Sequence, residues 1–434
     1  MPSPDRAVTA AAVRRRCSRA LLGLVTALCA AAIVPAARAE RVITIDDAIA
    51  LAEEFNPGVA ANLGREEAAR AGIVTARQFP NPSVDANAGP QRPRGGSEVP
   101  SGTAWGVGVA QPIEYPSVRD SRRRTAEANL GSIEAGSLAF RAQLLAQVRS
   151  NFYEVLQRQE QLGIAEEDLK LLAEIRDRVG LRATLGESPR LDLVRTETEV
   201  LNAQRARDSA AVRVTQAKLA LANLIGIPPG DVYALRGGIG GEPALPTLES
   251  LRDEITRDNP QIQQALAEQE RARSRLQLER DLRMPAPTLQ AGYLQEPDKE
   301  VTRFGLALPL PLFNRREGQI AEALAEAKVA DAQLRARELA LTRELDAVYG
   351  RFLIARQQVE TFEGGLLERA QRTLEAAEAA YRFGERGIIE YLDAQRTFRA
   401  VRQDYVNARY ELAYSIIEIE RLVGRSFLNT GISR

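Results

Sequence analysis

Hydrophobic residues recur along most of the chain at the three-to-four-residue spacing of helices, in segments rich in Ala, Leu, Glu, Arg and Gln. No proline interrupts residues 117 to about 182, and the glycines among them lie in sequence that otherwise favours helix. At 1.5 Å per residue, one helix there would extend about 95 Å, which is far too long for an ordinary globular domain. A second such segment covers about 315–383, with a break expected at Gly364-Gly365.

Two short segments of a different character precede each long helix. Apolar residues alternate with polar or very small ones, as in "PSVDANAGP" and "TRFGLALPL". This period of two predicts four strands, at about 82–92, 102–113, 287–296 and 301–311. The same alternation is typical of transmembrane barrel strands, but ordinary hairpins of a soluble protein would share it.

The chain repeats itself after about 200 residues. Asn56-Pro57 is answered by Asn259-Pro260, "RLDLVRTE" by "YLDAQRTF", and Leu224-Ile225-Gly226 by Leu422-Val423-Gly424. We therefore expect two tandem repeats, 40–236 and 237–434, which end in helices at about 188–226 and 388–424. The linker "IPPGDVYALRGGIGGEPALP" has the Pro and Gly content of a boundary.

The first 39 residues have the pattern of a cleaved secretory signal peptide, 1–39. Arginines at 14, 15, 16 and 19 precede an apolar run from Leu21 to Ile33, and Ala37-Arg38-Ala39 forms a small-x-small cleavage site. We expect the mature chain to begin at Glu40. Lipidation is not expected, because Leu28 and not a small residue precedes Cys29.

Composition excludes several classes of function. The 58 basic residues balance 58 acidic ones, whereas binding to nucleic acid needs a basic face. The chain has no histidine, and cleavage of the signal peptide removes both cysteines, Cys17 and Cys29. A mature disulfide is thereby excluded, as are His or Cys metal sites and catalysis by a histidine base. We expect no cofactor and no resident metal.

No run of 18 apolar residues follows the signal peptide, so a transmembrane helix is not expected. Four strands are too few to close a membrane barrel, and open sheet edges are not tolerated in lipid. If the strands span a bilayer, several chains must contribute. Three copies would supply 12 strands.

Near the C-terminus, "YRFGERGIIEYLDAQRTF" sets Glu390 and Asp393 three residues apart, on one face of a helix start. Such neighbours cannot flank a substrate bond from opposite sides, which excludes a glycosidase pair. Two other interpretations remain. The carboxylates either complement the dipole of a solvated helix N-terminus, or face a lumen on a threefold axis, where low-dielectric walls would focus their field and favour cations.

Taken together, these features resemble the TolC-like outer-membrane efflux proteins over essentially the whole mature chain. The motif "LPLPLFNRREGQIAEA" (308–323) resembles the cation-efflux branch typified by CzcC and CusC. The resemblance implies a mainly α fold with a small β part and a homotrimer. Its four strands per protomer would form a 12-stranded outer-membrane β-barrel, and its long antiparallel helices a periplasmic α-barrel.

The resemblance also implies partners and a function. The duct would meet a periplasmic adaptor and an inner-membrane RND pump, contact outer-membrane lipid, and export cations such as cobalt, zinc, cadmium, copper or nickel without catalysing a reaction. A duct of the same fold for drugs, solvents or type I protein secretion is the first alternative. A soluble periplasmic coiled-coil scaffold is the alternative from another class.

For the periplasmic end, the resemblance assigns roles to five residues, here called the gate residues: Asp192, Tyr381, Arg386, Glu390 and Asp393. Tyr381 and Arg386 would bridge to the neighbouring coiled coil with Asp192 as acidic partner, and Glu390 and Asp393 would ring the lumen. The chain departs from the family pattern in having Glu rather than Asp at 390. It also has Leu191 where a hydroxyl-bearing residue can assist the bridge.

Arginines follow the second and the fourth predicted strand. Charge runs of this kind are usually solvated helix faces. Their repeated position, where barrel would meet helix, also suggests contact with phospholipid headgroups, with Trp105 and Tyr115 as interfacial aromatics. The arginines are Arg119, Arg122, Arg123, Arg124, Arg315 and Arg316.

Overall fold

The computed structural model describes residues 41–92, 100–228, 233–238, 245–425 and 427. The expected signal peptide, 1–39, lies outside these ranges. Within them the protein is mainly helical with a small β part, and one order of elements occurs twice: two helices, two strands, a long helical segment and a closing helix. The expected mainly α fold with a small β part and two tandem repeats is confirmed.

The first half consists of β1 (Arg41–Ile43), α1 (Ile45–Phe55), α2 (Pro57–Arg77), β2 (Ser83–Gln91), β3 (Gly102–Pro112), α3 (Pro116–Thr184) and α4 (Arg190–Ile225). Next come β4 (Tyr233–Leu235), α5 (Leu248–Asp258), α6 (Pro260–Asp281), β5 (Thr288–Gln295), β6 (Glu300–Ala307), α7 (Glu317–Thr361), α8 (Leu367–Arg382) and α9 (Ile388–Val423). The long segment of the second half is thus two helices, whereas α3 is one continuous helix of 69 residues.

A π-helical turn, Phe362–Leu366, separates α7 from α8, at the Gly364-Gly365 position where the sequence predicts a break. Gly365 has φ 122°, a backbone conformation that L side chains rarely adopt. The hydroxyl of Tyr405 donates a 3.0 Å hydrogen bond to Glu363, and the rings of Tyr405 and Phe362 lie 5.8 Å apart. The turn is therefore held against α9.

In each half, the asparagine of the repeated Asn-Pro dipeptide joins the start of the second helix to the end of the last helix. The side chain of Asn56 accepts a 2.8 Å hydrogen bond from the N–H two residues on and donates a 2.9 Å bond to the carbonyl of Leu224. Asn259 makes the same two bonds, at 2.8 Å and, to Leu422, 2.6 Å. One side chain thus caps the second helix of each half and fixes the end of its last helix.

A four-stranded antiparallel sheet has the strand order β2-β3-β5-β6, so that β2 and β6 are its edges. Val107 pairs with Tyr293 and Ala291 with Phe304, so the alternating apolar residues of all four strands share one face. The apolar residues of that face are Val84, Ala86, Ala88, Trp105, Val107, Val109, Leu289, Ala291, Tyr293, Phe304 and Leu306, and the polar residues Gln111, Gln295, Glu300 and Thr302 lie on it towards the strand ends.

The opposite face of the sheet is mostly polar or made of very small residues, with Leu294 and Val301 as a paired apolar exception. Asp85 and Asn87 lie across from Gly108 and Gly106, where a Cβ would come within 2.5 Å and 3.1 Å of their side-chain oxygens. The fourth strand ends at Ala307, earlier than the expected position of about 311. Proline at 309 and 311 supplies no N–H to a strand ladder, which explains the early end.

Strands β1 and β4 form a separate unit, a two-stranded parallel pair with Arg41 opposite Tyr233 and Ile43 opposite Leu235. The sequence analysis treats the segment that contains β4 as linker and places no strand at residues 41–43. Three-residue strands are too short to produce a recognisable alternation.

The helices belong to the other unit, and the part that positions the candidate site is an apolar cluster between hairpins of the two halves. Ile175 and Val179 of α3 pack there with Tyr381, Ile388 and Tyr391 at the α8–α9 turn. Among the described residues, no helix is apolar over a long enough stretch to cross a membrane.

Candidate functional site

Two helical hairpins end in turns of the same conformation. Gly186, between α3 and α4, has φ 79°, and Gly384, between α8 and α9, has φ 74°. In each turn the N–H of the glutamate after the glycine donates a 2.9 Å hydrogen bond to the carbonyl five residues earlier. Glu187 bonds to Arg182, and Glu385 bonds to Ala380. The repeat therefore sets Asp192 and Glu390 in the first turns of the helices that follow.

Tyr381, at the end of α8, is buried and stacks on Tyr391 of α9, with ring centroids 5.9 Å apart and an angle of 25° between the rings. The guanidinium of Arg182, from the end of α3, lies 5.0 Å from the centroid of the Tyr381 ring. The Tyr381 hydroxyl is buried without a hydrogen-bond partner among the described residues.

An ion pair lies beside this aromatic stack. Arg178 of α3 is 3.2 Å from Glu378 of α8. Burial raises the pKa of the Tyr391 hydroxyl, Glu378 raises it further, and Arg178 opposes both. The α8–α9 turn is thus fixed to α3 by aromatic packing, a cation–π contact and an ion pair.

The bridge that the family resemblance implies does not form within the chain. The carboxylate of Asp192 is 3.6 Å from Arg195, one turn along its own helix, and not beside Tyr381. The side chain of Arg386 is exposed in the turn and has no ion pair in the part of the chain that the structure describes. Bridges from Tyr381 and Arg386 to another copy of the chain stay a prediction.

Glu390 and Asp393 are both exposed on α9, and neither carboxylate has an ion pair within the described ranges. They follow Gly387, the residue that caps the helix N-terminus. Groups of three or more acidic, His or Cys side chains that could hold a metal ion were not found among the described residues. The two carboxylates of one chain are thus a partial set of ligands at most.

Beyond the gate residues, ion pairs continue along α9. The arginines of α9 reach acidic residues of α3 and α4, so the second-half hairpin is tied electrostatically to the first-half one. These pairs are Arg396 with Glu199, Arg399 with Asp168 at 2.8 Å, Arg402 with Glu167 at 2.5 Å and Arg409 with Glu160 at 3.4 Å.

Sequence reasoning misses three residues that the structure brings to this site: Arg178, Arg182 and Tyr391. The arginines lie near the end of a long helix, where basic residues ordinarily complement the dipole. Their contacts are with residues about 200 positions away in the sequence. Aligning the two halves of the repeat could have placed these residues at one end of the molecule but not in contact.

Most of the arginines that follow the second and fourth strands contact an acidic or aromatic side chain of the same chain. Arg122 pairs with Glu114 and Arg316 with Glu279. Arg119 lies over the ring of Phe79 at 4.2 Å, and Asp120 is 3.5 Å from Arg123 and 4.0 Å from Arg124. Arg315 is exposed and has no ion pair in the described ranges.

Known proteins share this architecture. A crystal structure of a membrane protein from Pseudomonas aeruginosa aligns with a TM-score of 0.75 at 19% identity, over 88% of this chain and 90% of that one. A crystal structure of CusC, described in terms of folding and transmembrane channel formation, aligns with a TM-score of 0.73 at 17% identity, over 88% and 92%.

The sequence has relatives as well. The cobalt-zinc-cadmium resistance protein CzcC of Cupriavidus metallidurans is 26% identical over 385 residues, which cover 88% of this chain and 90% of the relative. The profile of the family described as "Outer membrane efflux protein" matches residues 48–227 and 251–425, one segment in each half. The chain therefore belongs to the outer membrane efflux protein family and is an outer-membrane efflux protein.

Proposed function

We propose that the protein is the outer-membrane exit duct of a tripartite efflux system and that it exports metal cations. The main support for a duct is that a four-stranded sheet with a broad apolar region on one face is joined directly to a continuous helix of 69 residues. At 1.5 Å per residue that helix extends about 100 Å, long enough to reach far from a sheet that lies in the membrane.

A homotrimer follows from the edges of the sheet. Strands β2 and β6 each have one side without a neighbour within the described chain, and a lipid environment offers no hydrogen bonds to such edges. Edge-to-edge pairing of three copies around a threefold axis would satisfy them and close a 12-stranded β-barrel. The apolar face would then contact outer-membrane lipid, and the face with Asp85 and Asn87 would line the lumen.

At the other end, the gate residues would form the constriction. Two exposed carboxylates per chain, Glu390 and Asp393, become six around a threefold axis. Their negative field attracts cations and hinders anions in a narrow lumen. The exposed side chain of Arg386 supplies hydrogen-bond donors for the neighbouring copy, for example to its Asp192, whereas the Tyr381 hydroxyl is buried in the single chain and would have to become accessible before it could bridge.

The cargo proposal is supported by the similarity to CzcC, a cobalt-zinc-cadmium resistance protein. The mature chain has no histidine, no cysteine and one methionine, Met284, so it offers few of the ligands that distinguish one of these metals from another. Selection of the metal would therefore rest with an inner-membrane RND pump and a periplasmic adaptor. The duct would contribute only a preference for positive charge.

We also propose that the duct catalyses no reaction and binds no cofactor. Its acidic pair lies on one face of one helix, and a histidine base is absent from the whole sequence. Efflux, the function in the family's description, requires a passage and not a chemical step.

Contact with phospholipid headgroups is best proposed for Arg315, which alone among the six arginines after the strands has an exposed side chain and no ion pair with a described residue. The other five arginines already have acidic or aromatic neighbours, which makes them weaker ligands for phosphate. Arg315→Gln should reduce the yield of membrane-inserted trimer, and an unchanged yield after neutralising all six arginines would exclude the contact.

Cargo is tested by deleting the gene and measuring cell-associated cobalt, zinc, cadmium, copper and nickel. The proposal expects at least one metal to accumulate and its toxicity to rise, with both reversed by the wild-type gene. Sensitivity to drugs or solvents with unchanged metal content would instead identify a drug duct. Retention of a secreted protein would identify a type I secretion duct.

Cell fractionation tests the class of protein. The duct should be found with outer membranes and migrate as a heat-modifiable trimer on gels. A chain released with the periplasmic fraction, without detergent, would instead be a soluble coiled-coil scaffold.

A further inference from the structure

A cavity of about 550 Å³ lies between α3, α4 and α9, well away from the acidic pair at the start of α9. Three arginines line it, one from α3 and two from α4: Arg158, Arg205 and Arg213. No acidic residue is among its lining residues. Alanines at 165, 206 and 210 keep the space open.

The cationic groups are largely unneutralised. Arg205 and Arg213 are exposed and form no ion pair with any described residue. Arg158 is the exception, with one guanidinium nitrogen 3.2 Å from Glu154. The cavity thus retains at least two positive charges without a partner in the described chain, on one helix and eight residues apart.

Two polar side chains of the cavity, Asn407 and Gln161, have their oxygen atoms already occupied as acceptors. The side-chain oxygen of Asn407 accepts hydrogen bonds from Gln157 at 3.0 Å and Gln161 at 2.8 Å. The oxygen of Gln161 accepts in turn from Arg158 at 3.1 Å. What Asn407 has left to offer is its NH₂ group, a donor, and arginine offers donors alone.

We infer that this cavity binds a small multivalent oxyanion, a ligand with at least two phosphate or carboxylate groups. Such a ligand has only acceptors, and so complements a site that presents unpaired guanidinium and amide donors. Arg205 and Arg213 would bind it from α4, and Asn407 from α9. The bound anion would therefore link the two helices across α3. The inference does not depend on what the duct transports.

Isothermal titration of the purified full-length protein in detergent tests the site. Sodium pyrophosphate and sodium citrate serve as probes, at equal ionic strength set with chloride and in buffers freed of metal ions. Wild-type protein should bind at least one of them saturably. Tighter pyrophosphate binding would assign the site to phosphates, and tighter citrate binding to polycarboxylates.

Two variants locate the binding. Arg205→Gln with Arg213→Gln should weaken it at least about tenfold, because two charge-assisted interactions are removed. Asn407→Asp should weaken it similarly, since it keeps the oxygen that Gln157 and Gln161 need but replaces the free donor by a negative charge. Unchanged thermal unfolding of each variant in chloride shows that it has folded.

The matched control is Arg335→Gln with Arg343→Gln. These two arginines are exposed on α7, have the same spacing of eight residues, and do not line the cavity. The control removes the same charge and should bind like wild type. The inference is overturned if neither probe binds wild-type protein saturably. It is equally overturned if the Arg205/Arg213 variant and the control bind alike.

Discussion

A guanidinium nitrogen of Arg399, on α9, lies 2.8 Å from the Oδ2 atom of Asp168 on α3, whose side chain is only 2% exposed. Burial raises the pKa of the Asp168 carboxyl, Arg399 opposes that rise, and Glu199 adds to it. The second oxygen of Asp168 has no hydrogen-bond partner among the described residues. Desolvation therefore outweighs the ion pair, and this contact orients α9 on α3 more than it stabilises the fold.

The two partners of this pair should respond differently to substitution. Arg399→Met leaves a buried carboxylate without its cation and should lower the free energy of unfolding by about 3 kcal/mol at neutral pH. Asp168→Asn should lower it far less, because Arg399 is partly exposed and can be hydrated. Thermal unfolding in detergent followed by circular dichroism compares the two.

The pH dependence of stability shows whether burial or the ion pair has the larger effect on Asp168. Because the folded pKa of Asp168 lies above its ordinary value of 3.8, the protonated carboxyl stabilises the folded state. That stability is present below pH 3.8 and is lost as the pH rises through the raised pKa. Relative to Asp168→Asn, wild-type protein should lose stability over this interval. A relative gain would show that the ion pair outweighs burial.

The π-helical turn yields a prediction with a control in the next residue. Gly365→Ala imposes a Cβ on a backbone with φ 122°, and should lower stability by about 1–3 kcal/mol. Gly364→Ala meets no atom within 4 Å of its new Cβ and should be neutral or stabilise by up to about 1 kcal/mol. Equal stability of the two variants would mean that the turn is not held in this conformation.

The proposed lipid face can be tested within β6. Phe304 is 84% exposed on the apolar face, and Arg303, its neighbour in sequence, faces the other way. Phe304→Lys should disfavour membrane insertion by about 2–4 kcal/mol and reduce the heat-modifiable trimer in the outer-membrane fraction. Arg303→Lys preserves the charge and should leave it unchanged. If the two variants insert equally, the apolar face does not contact lipid.

The repeat made much of this fold predictable from sequence. Asn56 and Asn259 have the same place in each half because each must cap one helix and bind the end of another. The alternation around Val107 and Phe304 indicated strands, and Gly364-Gly365 marked the break between long helices. These features are visible in sequence because each depends on local backbone requirements.

The contacts between the halves were not predictable in the same way. The sequence singles out Tyr381 but does not predict that its ring stacks on Tyr391 and lies under Arg182. Arg178 forms an ion pair with Glu378, which is about 200 residues away in the sequence. Helix pairing at that distance in sequence depends on how two hairpins pack, and local periodicity carries no information about it. Strands β1 and β4 were not predictable because three residues are too few to show an alternation.

The carboxylate pair predicts how cations affect conduction. Glu390→Ala with Asp393→Ala removes six charges from a trimer and should weaken block of the channel by divalent or trivalent cations in planar bilayers, because fewer carboxylates attract them. Asp404→Ala with Glu411→Ala is the matched control, since both residues are exposed on α9. Block that weakens equally in both variants would reflect net charge and not a ring at the constriction.

Single-channel conductance in planar bilayers tests the central claim, a duct constricted at its periplasmic end, most directly. Since the Tyr381 hydroxyl and the Arg386 side chain have no bonding partner within the described chain, Tyr381→Phe with Arg386→Ser should disturb only contacts between copies. We predict that purified wild-type trimer conducts in discrete steps and that this variant conducts with larger steps. A wild-type protein that forms no pores, or a variant with unchanged conductance, would contradict the account.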